Sequence, residues 1–429
     1  MAEPATASRR GNRLTTSIVV ALFLGIAAGW VSHEFFAPSS AGFADSISLL
    51  PTAFLRLVKM IIAPLVFATL VVGIAKMGDI RMVGRIGTKT LGWFLFASLV
   101  SLTLGLVLVD LLEPGKAMHL AIPAGDASTG FKAGALSLEE FISHTIPTSI
   151  VDAMSRNEIL QIVVFSVFFG VAMAALGERT AIVLTALDGV ALIMLRVTGY
   201  VMLFAPLAVF GALASTVAKE GLGVIGVYGL FVAEFYLGIL ILWGVLAALG
   251  AIFLGPRVLQ LVLRVREPVL LAFSTASSEA AYPKTLEELE RFGVSHRIAR
   301  FVLPVGYSFN LDGSMMYCTF AVMFIAQVYG IEISLPRQIA MLAILMLTSK
   351  GMAGVPRASL VVIAATLAQF DIPAAGLLLL LGVDHFLDMG RSATNVVGNS
   401  VATAVVARWE GQLGAPDQTA PSASTAQES

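Results

Sequence analysis

Long apolar stretches constrain this chain more than any other feature of its sequence. Only 13% of the residues are charged, about half the share found in soluble domains. The sequence predicts an all-helical integral membrane protein, because helices satisfy their own backbone hydrogen bonds in lipid. Windows of about 20 apolar residues are long enough to cross a bilayer, and they lie at 14–35, 45–77, 83–112, 157–177, 186–217, 223–254, 297–328 and 373–408.

Composition excludes several function classes. The formal net charge of −1 gives no basis for binding nucleic acid. The single cysteine, Cys318, excludes an intrachain disulfide and a cysteine-based metal site. The five histidines do not have the spacing of a zinc site. We therefore expect no bound cofactor.

The distribution of basic residues predicts the orientation of the chain in a bacterial inner membrane. Basic residues concentrate in loops that fall on one side if the N-terminus is cytoplasmic. They are Arg9, Arg10, Arg13, Lys76, Arg81, Arg85, Lys89, Arg257, Arg264, Arg266, Lys284, Arg291, Arg297 and Arg300. Both termini are then cytoplasmic, and the tail 412–429, rich in Ser, Ala, Gln and Pro, is predicted to be disordered.

Two stretches fit no simple span. Residues 256–293 have basic residues at both ends and the polar segment "AFSTASSEAAYP" between them. Residues 334–371 are apolar on both sides of "TSKGMAGVPRAS". We interpret each as a re-entrant helical hairpin, and a plain cytoplasmic loop is the alternative for the first. Each hairpin precedes a span with polar residues, and the two enter from opposite sides, which is typical of an inverted repeat with a site near the midplane.

Two polar clusters interrupt the apolar spans. The first is "SFNLDGSMMY" at 308–317, although an aspartate near a bilayer centre costs about 2.5–3.5 kcal/mol on insertion scales. The second lies in the last window, where five polar residues with spacings of 4, 3, 4 and 4 share one helix face: Asp384, Asp388, Arg391, Asn395 and Asn399. Arg391 can bind a carboxylate bidentately, and Asp388 can bind an ammonium. A closed, purely structural Asp388–Arg391 pair is the alternative.

These motifs resemble those of the dicarboxylate/amino acid:cation symporter family, which transports glutamate, aspartate and C4-dicarboxylates. The matching segments, in order, are "ASSEAAYP", "NLDGS" (the family's NMDGT), "SKGMAGVP" and "DMGRSATNVVGN". The resemblance runs from the first span to about residue 411. It implies eight transmembrane helices plus two re-entrant hairpins in an elevator-type homotrimer.

The resemblance also implies a division of the chain into domains. Residues 1–13 form the cytoplasmic N-terminus. Residues 14–82 and 113–222 form a scaffold. Residues 83–112 and 223–411 form a mobile transport domain, in which the second hairpin is the outer gate.

Site residues follow from the resemblance, position by position. Arg391 matches the arginine for the substrate's side-chain carboxylate, Asp388 the aspartate for its amino group and Asn395 the contact to its α-carboxylate. The other substrate contacts would be Ser277, Ser278, Ser314, Gly354 and Val355. A sodium ion would be held by Ser98, Gly306, Asn310, Asp312, Asn395 and Asn399.

The departures from the family pattern concern the coupling ion, H+ or Na+. Asn399 stands where sodium-coupled members have an aspartate, and Phe94 and Ala97 replace a tyrosine and a threonine. Uncharged ligands hold a hard cation less well, so a proton is favoured. Glu279 at the first tip is the candidate proton carrier, and an ion pair between Glu279 and Arg357 is the alternative.

The substrate stays open between two classes. Asp388 favours glutamate or aspartate, whereas Glu279 and Asn399 resemble the C4-dicarboxylate branch, whose members tend to lack that aspartate. We predict a symporter that imports acidic amino acids, with C4-dicarboxylate symport and then an anion channel as alternatives. Its partners would be a small acidic substrate and membrane lipid. A hydrolase using Ser277 or Ser278 with His385 is disfavoured, because His385 points off the polar face.

Overall fold

The computed structural model describes residues 4–75, 80–117, 142, 145–221, 223–349, 358–381 and 383–415. Within these ranges the regular elements are helices, and no strand occurs beyond an isolated bridge. The first half of the described chain contains α1 (Pro4–Phe35), α2 (Ala37–Ile47), α3 (Leu49–Ala75), α4 (Ile80–Leu112), α5 (Pro114–Ala117), α6 (Ile150–Arg156), α7 (Ile159–Leu176), α8 (Ala181–Met202) and α9 (Ala205–Glu220).

The second half contains the hairpins and the polar helices. Its helices are α10 (Gly223–Leu254), α11 (Arg257–Arg264), α12 (Arg266–Thr275), α13 (Ser278–Phe292), α14 (His296–Phe309), α15 (Asp312–Val328), α16 (Leu335–Thr348), α17 (Ala358–Gln369), α18 (Leu378–Leu381) and α19 (Asp384–Trp409).

Six helical segments are long and apolar enough to cross a membrane. They are Thr16–Phe35, Ser40–Ala75, Arg81–Lys116, Ile159–Met202, Tyr228–Leu254 and His296–Val328. This agrees with the prediction of a multi-pass membrane protein. The count of eight spans stays a prediction.

Two predicted spans have different boundaries in the structure. The window 186–217 is not one helix, because α8 ends at Met202 and α9 begins at Ala205. A proline in the first turn of α9 explains the new start, since proline lacks the backbone N–H of a helix interior but suits a helix N-terminus. The window 373–408 is also divided: a 3-10 turn and α18 precede α19, which begins at Asp384.

The helices pack in two sets. In the first set, α9 packs on α1, α2 and α3, and α3 also packs on α7 and α8. In the second, α19 packs on α10, α12, α13, α14 and α15, while α4 packs on α15. Contacts of α3 with α13 and α14 join the sets. The division into a scaffold and a mobile transport domain stays a prediction, as does the elevator motion.

The break that "NLDGS" predicts in the seventh span is confirmed. Helix α14 ends at Phe309 and α15 begins at Asp312, so that Asn310 and Leu311 are not helical. Asn310 and Asp312 are nevertheless fully buried. Non-helical backbone at this position is therefore enclosed by protein, as a membrane interior requires.

The first predicted hairpin has two helical arms. Its arms α12 and α13 pack against each other and against α19. The chain turns at Ala276, which has a left-handed conformation (φ 49°), and the Ser277 hydroxyl caps α13 by accepting a hydrogen bond from the Ala280 N–H (3.3 Å). Its placement in the membrane stays a prediction.

The predicted disorder of the tail is wrong for residues 412–415. Ser295 N–H donates to the Gln412 carbonyl (3.1 Å), and Gly414 N–H donates to the Gly293 carbonyl (2.8 Å). Arg257 also donates to the Gly414 carbonyl (2.7 Å). Backbone pairing with the end of the first hairpin therefore orders this part of the tail, which is Gln-Leu-Gly-Ala in sequence.

Candidate functional site

Arg391 lies at the centre of a buried charged group on α19. Its side chain is 1% exposed. Its Nη2 lies 2.8 Å from Asp388 Oδ1 and 3.2 Å from Asp384 Oδ1. The Arg391 Nε and Nη1 atoms are buried and have no hydrogen-bond partner among the described residues. Because an unmade hydrogen bond of a buried charged group is costly, this guanidinium is suited to receive an anion.

Tyr317 supports the guanidinium from the neighbouring helix α15. Its ring centroid lies 4.0 Å from the guanidinium carbon of Arg391, and its hydroxyl donates to Asp384 Oδ1 (3.2 Å). A cation over an aromatic face is stabilised by about 2 kcal/mol when both are desolvated. The ring and the carboxylate together hold Arg391 in one position.

Asp388 is already paired with the arginine in this arrangement. Its side chain is 29% exposed, in contrast to the enclosed Asp384. The close Asp388–Arg391 contact follows from their i, i+3 spacing on one helix. This is the Asp388–Arg391 pair that the sequence allows as the alternative to substrate binding. The assignment of Asp388 to a substrate amino group stays a prediction.

The polar face of α19 also contacts the first turn of α15, directly after the break between α14 and α15. Asn395 Oδ1 accepts a hydrogen bond from the Gly313 N–H (2.9 Å), and Asn395 Nδ2 donates to Ser314 Oγ (3.4 Å). The structure therefore brings Arg391, Asn395 and Ser314 together, as the sequence predicts for the substrate site.

A second polar cluster surrounds Asp312. Asn310 Nδ2 donates to Asp312 Oδ2 (2.9 Å) and to Asn399 Oδ1 (3.3 Å). Ser101 Oγ of α4 donates to Asp312 Oδ1 (3.2 Å). A Cβ atom added to Gly398 would collide with Asp312 Oδ2, so that only glycine lets α19 approach this carboxylate.

The residues predicted to hold sodium lie around this cluster. A Cβ atom on Gly306 would collide with Asn399 Oδ1, which places Gly306 beside the amide. Ser98 is fully buried on α4. The buried Asn310 Oδ1 and Asn399 Nδ2 have no hydrogen-bond partner in the described part of the chain. The site offers one carboxylate and several neutral oxygens, and oxygen ligands are those that hard cations prefer. Asn395 bonds to Gly313, the residue after Asp312.

The tip of the first hairpin lies against α19. Phe273 and Ala276 pack in one apolar cluster with Met389, two residues from Arg391. Ser277 uses its hydroxyl as the helix cap, and Ser278 is the first, half-buried residue of α13. Their contacts to a substrate stay predictions. Gly354 and Val355 lie outside the described residues, as does Arg357, so neither the gate contacts nor the Glu279–Arg357 pair is tested.

Glu279 faces away from the polar face of α19. It lines a small cavity with residues of α3, α7, α13 and α14. Lys59 attracts its carboxylate and Glu158 repels it. Glu279 therefore lies at the junction of the two helix sets.

Sequence reasoning missed Ser101 and Tyr317 as site residues. Ser101 is three residues from Ser98 and thus on the same face of α4, which is a signal that the sequence contains. Tyr317 offered no such signal, because its role depends on the packing of α15 against α19. Asp384 belonged to the predicted polar face, but its bond to Tyr317 is tertiary.

Comparison with known proteins gives consistent matches over nearly the whole chain. The sequence model of the sodium:dicarboxylate symporter family matches residues 14–409. The C4-dicarboxylate transport protein of Laribacter hongkongensis is 39% identical over 92% of this chain and 89% of its own length. The proteins of that name from Anaeromyxobacter sp. (strain K) and Rhizobium johnstonii are 40% identical over 94% and 91%, and 39% identical over 95% and 93%, of the two chains.

Proposed function

Because this chain belongs to the sodium:dicarboxylate symporter family, a family of transporters and not of enzymes, we propose that it imports C4-dicarboxylates such as succinate, fumarate and malate. The acidic amino acids that the sequence favoured are not supported, since the relatives are named C4-dicarboxylate transport proteins. The second prediction from the sequence, dicarboxylate symport, fits better.

The observation that carries this proposal is the state of Arg391. Its Nε and Nη1 donors have no partner among the described residues, while its Nη2 is bound to Asp388 and Asp384. One substrate carboxylate would take the open donors, and Ser314 and Asn395 would contact the other. Asp388 already pairs with Arg391, so its carboxylate is not required to bind a substrate ammonium group. This supports a substrate without an ammonium group. An anionic substrate also compensates the buried guanidinium, whereas a neutral one leaves it costly.

Uptake of radiolabelled succinate into proteoliposomes tests this proposal. Unlabelled fumarate and malate should compete at least tenfold better than aspartate or glutamate. Arg391→Gln should abolish uptake. Arg337→Gln is the matched control, since that arginine is about half exposed and pairs with Asp371 outside the site. Equal or better competition by aspartate would overturn the dicarboxylate assignment.

We propose the proton as the coupling ion, with Glu279 as its carrier. Two features support this choice. Both Asp312 oxygens accept hydrogen bonds from Asn310 and Ser101, and Asn399 adds no second carboxylate to that cluster. Glu279 is a carboxyl at the junction of the two helix sets. Protonation of Glu279 removes a negative charge from the interface between the two helix sets. In an elevator mechanism, these two sets move relative to each other.

Imposed gradients distinguish the two ions. A proton gradient alone should drive succinate uptake in vesicles without sodium, and Glu279→Gln should remove that drive. Uptake that requires sodium and ignores the proton gradient would instead assign coupling to the Asp312 cluster.

A bacterial inner membrane and a homotrimer complete the proposal. Exposed large apolar residues along α8, including Ile182, Leu192 and Ile193, supply surface for lipid or for a neighbouring subunit. Chemical crosslinking in native membranes would show a trimer on a denaturing gel, and a band at the monomer position alone would contradict it.

A further inference from the structure

Glu279 has its own cavity between the two helix sets. The cavity measures about 10 Å³. That volume is about one water-sized sphere, the least that can hold a water. The other lining residues are Ile62, Val66, Ile159, Tyr282, Pro304 and Tyr307. Among the described residues the enclosing helices are therefore α3, α7, α13 and α14, and no residue of α19 lines the cavity.

A larger open cleft lies between α3 and the end of α6. Its volume is about 470 Å³, which corresponds to on the order of ten waters at about 30 Å³ each in the liquid. It is lined by Arg56, Lys59, Met60, Ala63 and Pro64 of α3 and by Met154, Ser155 and Asn157 beside α7. If the N-terminus is cytoplasmic, as the distribution of basic residues predicts, the N-terminal half of α3 lies in the outer half of the membrane.

Residues that are neighbours in the sequence line the cleft and the cavity on two sides. On α3, Ala63 lines the cleft and its neighbour Ile62 lines the cavity. On the opposite wall, Asn157 lines the cleft and Ile159 the cavity. Asn157 Oδ1 is buried without a hydrogen-bond partner in the described structure, and such an acceptor indicates a polar occupant such as water.

The charges that face Glu279 come from both walls. Lys59 of α3 attracts its carboxylate, and Glu158, which precedes α7, repels it. Arg56 lies one turn before Lys59 in the cleft. Besides Glu279, the titratable residues that line the cavity are Tyr282 and Tyr307. Lys59 is thus the cation that favours the ionised form of Glu279.

We propose that Glu279 exchanges its proton with water in the outer cleft, through the one-water cavity, and that Lys59 is a positioning residue for this exchange. The inference rests on the proposed role of Glu279 as proton carrier. Its consequence is a proton route separate from the dicarboxylate route, because the cleft is lined by α3 and the segment before α7 and not by the polar face of α19.

The pH profile of succinate uptake into proteoliposomes tests the route. It is measured for Lys59 variants, first alone and then combined with Glu279→Gln. Lys59→Gln should raise the midpoint pH by roughly half a unit or more, because loss of a nearby positive charge favours the protonated carboxyl. Lys59→Arg should restore the original midpoint. Lys219→Gln, which removes a lysine that pairs with Asp45 and lines neither the cavity nor the cleft, should not move it.

The Glu279→Gln background separates the two claims. If Glu279 carries the proton, the pH dependence should disappear, and Lys59→Gln should then have no further effect. An unchanged midpoint in Lys59→Gln, with the Glu279-dependent profile intact, overturns the route but not the proton carrier. A pH dependence that survives Glu279→Gln overturns the carrier and the route, while dicarboxylate binding at Arg391 stands.

Thiol labelling provides a second test that does not depend on the activity of Lys59 variants. The one native cysteine, Cys318, is buried, so that Ser155→Cys introduces a single accessible thiol. A membrane-impermeant methanethiosulfonate reagent added outside should label it and slow proton-driven uptake. Absence of labelling would overturn the proposal, because the cleft would then not be open to external water.

Discussion

The Arg391 guanidinium carbon lies 4.0 Å from the centre of the Tyr317 ring. The two residues are on different helices, and Asp384 joins them by accepting from Tyr317 Oη and pairing with Arg391 Nη2. The position of the arginine is thus fixed by an aromatic face and a carboxylate before any substrate arrives.

Tyr317 substitutions should weaken dicarboxylate binding in two steps. Tyr317→Phe loses only the bond to Asp384 and should raise the KM for succinate about fivefold, corresponding to about 1 kcal/mol. Tyr317→Leu also loses the aromatic face, which is worth about 2 kcal/mol more. Tyr200→Phe is the control, because the Tyr200 ring also faces an arginine, Arg196 on α8, and its hydroxyl accepts a hydrogen bond from that arginine. Equal KM values for Tyr317→Phe and Tyr317→Leu would contradict a role for the ring.

Asp388→Ser should leave succinate transport intact or lower its KM. Asp388 Oδ1 occupies Arg391 Nη2 at 2.8 Å, and removal of this carboxylate also removes its repulsion of the substrate dianion. Competition between labelled succinate and unlabelled fumarate measures the effect. A loss of succinate uptake greater than tenfold, with normal protein in the membrane, would show that Asp388 supports the dicarboxylate site.

Gly398→Ala should abolish transport. The added Cβ atom would collide with the Asp312 carboxylate, and the backbone of α19 cannot retreat without disturbing Asn395 and Asn399. Gly189→Ala is the control, since no atom lies within 4 Å of its added Cβ, and alanine favours a helix by about 1 kcal/mol. Gly398→Ala should have a lower Tm in detergent and less succinate uptake than Gly189→Ala. Equal Tm and uptake in the two variants would argue against the close approach at Asp312.

Ser101→Ala should lower the affinity for the coupling cation if that cation binds at Asp312. The hydroxyl can donate its one proton to Asp312 Oδ1 (3.2 Å) or to the Ala97 carbonyl (2.9 Å), and loss of a bond to a charged group costs about 1.5–3 kcal/mol. The cation concentration at half-maximal uptake reports the change. Ser166→Ala on α7 is the control, because that buried hydroxyl bonds only to its own helix at Ile162. An unchanged concentration for both variants would place the coupling ion elsewhere and would agree with Glu279.

Glu410 should stabilise the protein at neutral pH and not in acid. It follows the end of α19 and accepts hydrogen bonds from Arg85 (2.7 Å) and Lys89 (2.6 Å) of α4. The hydrogen bond from Arg85 lowers the pKa of Glu410 below its ordinary value of 4.5. The stabilisation is therefore complete above that ordinary value and is lost as the pH falls through the lowered pKa.

Glu410→Gln should lower the Tm at pH 7 by about 2 °C or more. The difference from the unmodified protein should shrink as the pH falls below 4. Glu113→Gln is the matched control, because Glu113 forms an exposed local pair with Lys116, and such pairs contribute about 0–1 kcal/mol. A Tm difference that is constant with pH would show that packing, and not the charge, is responsible.

Local sequence determined the helical class, the break in the seventh span and the polar face of α19. Each depends on residues within a few turns of one another: apolar windows long enough for a bilayer, the run "NLDGS", and spacings of 3 and 4 residues. The ion pair between Asp388 and Arg391 is also local. The sequence thus contained Arg391, Asn395 and Ser314, the predicted substrate residues, which the structure brings together.

Tertiary structure decided what local spacing does not encode. Glu279 could face the substrate site or the first helix set, and only the packing of α13 against α3 directs it to the cavity. The bond of Ser101 to Asp312, 211 residues later in the chain, and the pairing of Gln412 with Ser295 depend on long-range contacts in the same way. Such contacts form only when several helices bury their faces together, so no periodicity in a single segment reveals them.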